Sequence, residues 1–321
     1  MQKSTIRILL SAAIVLAVSG SMSTKGLAHE VWVTNMTSGD VQVFGVSTGK
    51  AIATIKAGKG AHNVAISRDG KLALVANVGA HTVSIIDTAA KKVIATIPAG
   101  KKTHDVSISP DGTRALASSV GDSTITLIDI PNRKALYTMP FGKKAMMSVF
   151  TADSKKAFVV DAAQSTISLV DLANRSVGAS VPGGKGTMAF VPSPDWKMAW
   201  VTMPDDNKLA LLDLGSAKAI GTVDVPGEPH GLVFSPDGNR AYVVQRGADS
   251  IGVVDVAARK LVKSEYLGER PDMVAISSDG KTLFVTIRGE DKLLVLSASD
   301  LSIIREVKTH KQPHGVAYRG G

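Results

Sequence analysis

The sequence contains no cysteine, which excludes disulfides, a lipidated cysteine anchor and the Cys-x-x-Cys-His attachment of a haem. His-Glu-x-x-His is absent, and so is Gly-x-Ser-x-Gly beyond residue 28, so two familiar hydrolase signatures are missing. No helical period of useful length runs through residues 29–321, which leaves β-structure as the means of burying apolar residues. Gly58-Lys59-Gly60 and Gly184-Lys185-Gly186 look like pieces of phosphate loops, but no helix pattern follows either. A helix N-terminus is half of that phosphate-binding mechanism.

What is present begins with an export signal. Lys3 and Arg7 precede an apolar run from Ile8 to Val18, which is too short to span a bilayer. Gly26-Leu27-Ala28 then offers small residues to a signal peptidase, so residues 1–28 are expected to be removed and the mature chain to start at His29. A periplasmic or secreted monomer follows, with no transmembrane segment after cleavage. Loss of Lys3, Arg7 and Lys25 lowers the formal net charge from +9 to +6. An excess of that size favours an anionic small molecule or protein partner, whereas nucleic acid is not expected for an exported chain.

From His29 the chain divides without insertions into seven blocks of 42 residues, the last one residue short. Ser67-Arg68-Asp69-Gly70, Ser109-Pro110-Asp111-Gly112, Ser235-Pro236-Asp237-Gly238 and Ser277-Ser278-Asp279-Gly280 close four blocks, with degenerate copies at Thr151-Ala152-Asp153-Ser154 and Ser193-Pro194-Asp195-Trp196. These are tight-turn residues. The second block predicts strands at Leu72–Asn77, Val83–Asp87 and Val93–Pro98, then a fourth at Asp105–Ser109. The fourth residue of every block is large: Trp32, Leu74, Leu116, Phe158, Trp200, Tyr242 and Phe284. One sheet cannot bury both of its faces, so these side chains must lie between neighbouring sheets set around an axis. The predicted fold is all-β, a seven-bladed β-propeller over residues 29–321 with four antiparallel strands per blade. The strand nearest the axis follows each interblade loop, as at Asn63–Ser67. The blade of Trp32 lacks one, and His314–Tyr318 is expected to supply it and close the ring.

Trp32-Val33-Thr34-Asn35, with the strand at Val83–Asp87 and its copies Ile125–Asp129, Ile167–Asp171, Leu209–Asp213 and Ile251–Asp255, resembles the YVTN family of bacterial β-propeller repeats over essentially all of residues 29–321. The resemblance implies a propeller and export, and no particular activity. It also implies that histidine in the settings Pro229-His230-Gly231 and Pro313-His314-Gly315 is a common repeat feature.

Block position 34, at the start of the innermost strand, holds His62, His104, Met146, Met188, His230, Asp272 and His314. In a propeller these converge on one mouth of the axial channel. Imidazole, thioether and carboxylate together could hold copper or zinc, with His314, His62 and His104 from consecutive blades and Asp272 beside His314. The same side chains could instead turn between blades and bond backbone carbonyls. The ring is similar in kind to the histidine-ringed propeller of nitrous oxide reductase, which binds a copper–sulfide cluster. It departs from that pattern at three blades, in chain length and in lacking a Cys-bearing second copper domain. Just before it, block positions 31 and 32 hold Lys59, Lys101, Lys102, Lys143, Lys144, Lys185, Arg270 and Lys311 against Glu228 and Glu269, which predicts an electropositive, ligand-binding rim. Three function classes follow: an exported binding or scaffold protein acting through this mouth, a metal-binding protein or oxidoreductase, and, by fold analogy alone, a lactonase-like hydrolase.

Overall fold

The computed structural model describes residues 29–320, so the export signal expected at 1–28 lies outside the described residues. Among the described residues, no helix is long and apolar enough to cross a membrane. Twenty-eight strands form seven antiparallel four-stranded sheets, and the helical elements among the described residues are two single 3-10 turns, Pro204–Asp206 and Arg246–Ala248. The strands of the second block run Leu72–Asn77, Thr82–Asp87 and Lys92–Pro98, followed by Thr103–Ile108, each within two residues of expectation.

Turn chemistry explains the recurring block ends. Ser67 Oγ donates to Asp69 Oδ1 at 2.7 Å, the Lys71 N–H donates to the same oxygen, and Gly70 takes φ +67° to complete the turn. In the degenerate copies Ser154 and Trp196 occupy that left-handed position at φ 61° and 58°. The Asp that ends the third strand of most blades is structural too: Asp87 Oδ1 accepts the N–H groups of Ala89 and Ala90 and caps the next turn.

The core is divided into seven clusters, one at each junction between blades. Trp32 packs with Ala73, Val75 and Ile86 of the following blade, Leu116 with Phe150 and Val159, and Phe284 with Val31, Val33 and Phe44 across the closure. All seven residues at block position four are nearly or fully excluded from solvent. A buried side chain of this size contributes about 1.5–3 kcal/mol, so stability resides between blades rather than within them.

Closure joins the two ends of the described chain in one sheet. Pro313–Arg319 pairs with Glu30–Asn35, with Val33 opposite Val316 and Val31 opposite Tyr318, and forms the inner strand of the first blade. Glu30, 4% exposed, locks the seam. Its carboxylate accepts from Lys91 Nζ at 2.7 Å, from Arg319 Nη1 at 3.2 Å and from the Trp32 indole at 3.1 Å. Arg319 also donates to the Gly70 carbonyl of the next blade.

The other inner strands are Ala61–Ile66, Thr103–Ile108, Ala145–Phe150, Phe190–Pro192, Pro229–Phe234 and Pro271–Ile276. Residues from five of the seven, among them Ile66, Ser107, Met147, Met273 and Val316, enclose an axial cavity of about 320 Å³. This channel places the starts of the inner strands around one opening.

Candidate functional site

Each inner strand begins after an interblade loop, so its second residue reaches the channel mouth. His62, His104, Met146, His230, Asp272 and His314 all occupy that place in a strand. Met188 does not: the inner strand of its blade starts only at Phe190, and Met188 is held by its N–H donating to the Thr202 carbonyl.

The four imidazoles come together, tilted or edge-on to one another. Ring centroids of His62 and His314 lie 3.7 Å apart at an interplanar angle of 34°, those of His62 and His104 lie 4.1 Å apart at 47°, and His230 stands edge-on to His314 at 6.3 Å. Among the described residues, no group of three or more His, Asp or Glu side chains is disposed to hold a metal ion.

Two of the rings take the interblade hydrogen bond. His104 Nδ1 donates to the Met146 carbonyl at 3.2 Å and His230 Nδ1 to the Asp272 carbonyl at 3.0 Å, each contact reaching 42 residues on to the same place in the next blade. Because a carbonyl only accepts, Nδ1 carries the proton in both. His62 faces the equivalent His104 carbonyl without a hydrogen bond of normal geometry, and the buried Nδ1 atoms of His62 and His314 have no partner. Burial is the first cause holding His62, His230 and His314 well below the ordinary 6.5, with nearby imidazoles and Arg246 or Arg288 adding to it. His104 is lowered to about 4, again by burial first, while its bond to Met146 opposes the shift and Lys144 and Arg246 add to it.

Asp272 is fully buried at the centre of the polar arc. Arg246 Nη2 is in direct contact with Oδ1, Arg288 Nη1 lies 3.6 Å from Oδ2, His230 Nδ1 is 3.4 Å from Oδ1 and His314 Nε2 is 3.5 Å from Oδ2. Neither carboxylate oxygen accepts a hydrogen bond of normal geometry. Burial, then repulsion from Arg288 and Arg270, lowers Arg246 to about 10, against the pull of Glu228. Two guanidiniums thus share one carboxylate, with Arg270 close enough to repel both.

Sequence reading missed Arg246 and Arg288. The signal was block position 8, which is apolar in five blocks, at Met36, Val78, Val120, Ala162 and Pro204, and arginine in the last two.

The rim cations Lys59, Lys101, Lys102, Lys143, Lys144, Lys185, Arg270 and Lys311 are all exposed. Their expected counter-charge of only Glu228 and Glu269 needs correction. Loops of neighbouring strands bring Asp122, Asp161, Asp206, Asp249 and Asp291 to the same rim, where their carboxylates accept the N–H groups of Lys101, Lys143, Lys185, Arg270 and Gln312. Arg246, Arg288 and Arg270 nevertheless lie close enough on one arc of the mouth to repel one another.

Beside Arg246 the mouth opens into a cleft of about 480 Å³. Met146 and Met188 line it together with Lys144, Lys185, Glu228 and His230.

The sequence profile of YNCE-like β-propellers matches residues 13–156 and 233–319. The chain belongs to the YNCE-like β-propeller family. No curated protein matches it in sequence. Among solved structures, this YNCE-like propeller is similar to a functionally unknown protein from Desulfotomaculum acetoxidans, at 18% identity and a TM-score of 0.81 over 91% of this chain and 99% of that one. It is similar to Kuenenia stuttgartiensis hydrazine synthase at 18% identity and a TM-score of 0.77, over 89% and 99% of the two chains. A candidate 6-phosphogluconolactonase from Bacteroides fragilis gives 17% identity and a TM-score of 0.79 over 92% and 99%. Likeness at this identity is one of fold, and it carries no reaction to this chain.

Proposed function

We propose that this YNCE-like propeller is an exported binding protein that takes a small anionic ligand at the channel mouth. The observation that supports this reading best is the pair of guanidiniums, Arg246 and Arg288, drawn to the single buried carboxylate of Asp272. Each guanidinium carries five donors in a fixed fork suited to carboxylate or phosphate oxygens, and one carboxylate cannot occupy both forks. Four neutral imidazoles around them add donors without adding counter-charge. Calorimetric titration of the purified protein with dicarboxylates, phosphate esters and sulfonates tests the reading. Arg246→Gln and Arg288→Gln are each expected to weaken binding by about 10- to 100-fold, the worth of a charge-assisted hydrogen bond. Unchanged affinity in both variants overturns it.

A second reading, a copper or zinc centre, is favoured by His62 Nδ1 and His314 Nδ1, buried nitrogens with no hydrogen-bond partner. It requires the rings of His314, His62 and His104 to turn until their lone pairs meet, with Met146 and Met188 relevant chiefly to Cu(I). Under the anion reading, metal analysis of protein purified without a His-rich tag finds no stoichiometric copper or zinc. One bound equivalent, lost in a His62→Ala/His104→Ala variant, would favour the metal centre.

A further inference from the structure

The mouth is chemically two-sided. Around Asp272 it presents Arg246, Arg288 and the imidazoles of His230 and His314, whereas over the blades that start at Ala145 and Phe190 the equivalent positions are Met146, Met188, Ala162 and Pro204. None of these four side chains carries a hydrogen-bond donor. The sheet is also loosened here, because the inner strand beginning at Phe190 is three residues long where the others have six or seven. These four residues form the apolar part of the lining of a cleft of about 480 Å³, which Lys144, Lys185 and Arg246 share with Asp205 and Glu228. Its volume falls in the range of roughly 300–1,000 Å³ typical of small-molecule sites.

An inorganic anion would use the cations and leave the thioethers bare. A neutral apolar molecule would use the apolar part of the lining and leave the cations facing water. Thioethers are soft, adapt their shape and contact the edges of aromatic rings favourably. We propose that the cleft binds an aromatic acid, with its ring system on Met146 and Met188 and its acid group held by Lys144, Lys185 and Arg246. This rests on the anion reading and names the class of ligand for it.

Three probes separate the contributions: 1-naphthalenesulfonate, methanesulfonate with the same acid and no ring, and 1-naphthalenemethanol with the ring and no acid. The naphthalenesulfonate is expected to bind about thirtyfold or more tightly than methanesulfonate, from roughly 100 Å² of apolar contact. Met188→Gln, and Met146→Gln/Met188→Gln where it melts as a folded protein, should remove most of that advantage. Arg246→Gln should weaken both sulfonates together. In wild-type protein carrying [methyl-13C]methionine, the ring should shift the methyl signals of Met146 and Met188 and leave Met36 unmoved, a readout independent of how the variants fold. Equal affinity for the two sulfonates, or unmoved Met146 and Met188 signals at saturation, overturns the aromatic-acid inference and leaves the anion site standing. Binding of the alcohol as tightly as the naphthalenesulfonate overturns both, and so does failure of both sulfonates to bind.

Discussion

Deleting residues 313–321 abolishes the cooperative melt of the folded chain, and far-ultraviolet circular dichroism of the shortened protein should show a broad transition without a two-state midpoint. The deleted strand carries the entire inner edge of the first blade. Without it Glu30–Asn35 keeps only its outer pairing with Asp40–Gly45, and Val316 and Tyr318 no longer cover Phe284 and its neighbours. Full burial of such a side chain is worth about 1.5–3 kcal/mol, and these two are half-buried. Loss of Arg319 leaves the buried Glu30 with one cation instead of two, and breaking a buried ion pair costs about 3–5 kcal/mol. Together these approach the whole stability of a typical domain, about 5–15 kcal/mol. An open arc also exposes two blade faces to water that an evolved solenoid would cap with polar residues. A shortened chain that melts sharply at the midpoint of the intact protein would mean that the ring does not depend on this strand.

The same seam shows why the fold was legible in the sequence. A 42-residue period and large residues at one fixed place, such as Trp32 and Phe284, carry both the blade count and the interblade packing, and those follow from burial alone. The Asp-Gly turns carry the register, because each uses local hydrogen bonds that no tertiary contact overrides. What the period could not carry is the direction of a side chain. Position 34 predicted that His62, His104, His230 and His314 would meet, but whether a ring faces the channel or a carbonyl depends on rotamers set by neighbours such as Met146 and Asp272. Met188 differs because the inner strand of its blade begins only at Phe190, so it precedes the strand instead of standing second in it. Arg246 and Arg288 are not legible in the period, because they break the repeat at block position 8 instead of recurring with it. Charge at the rim was overcounted because Asp122, Asp161 and Asp206 reach it from other block positions, 18 to 21 residues along the chain from the lysines they meet.

Acid should destabilise this protein well before its carboxylates are protonated. His62, His230 and His314 lie well below the ordinary 6.5 and His104 lies at about 4, all chiefly through burial. In the unfolded chain these imidazoles take up protons near pH 6.5, while in the folded one they stay neutral. Stability is therefore fully present above about pH 6.5 and falls as the pH drops below it, each group losing up to about 1.4 kcal/mol per pH unit until its folded value is reached. Asp105 works in the opposite direction. Its buried carboxyl, accepting from Asn63 and the Ser148 N–H, is raised to about 6 by burial, so its protonation favours the folded state as the pH falls below 6. One such group offsets about one imidazole out of four. Below pH 4 the turn carboxylates that are lowered by local hydrogen bonds, such as Asp69 and Asp237, begin to contribute a further loss. Between pH 7.5 and 5.5 the net loss is on the order of 4 kcal/mol, read as a shift in the urea midpoint. The placement of the rings gives the effect its source: a proton on His62 would sit within stacking distance of His104 and His314 and close to Arg288, with Asp272 already shared by two arginines. In a His62→Asn/His314→Asn variant the loss over the same interval should fall by about half, because two of the four groups no longer titrate. Equal urea midpoints at pH 7.5 and 5.5 in the wild-type protein would show that the cluster is solvated and charges freely, contrary to its burial.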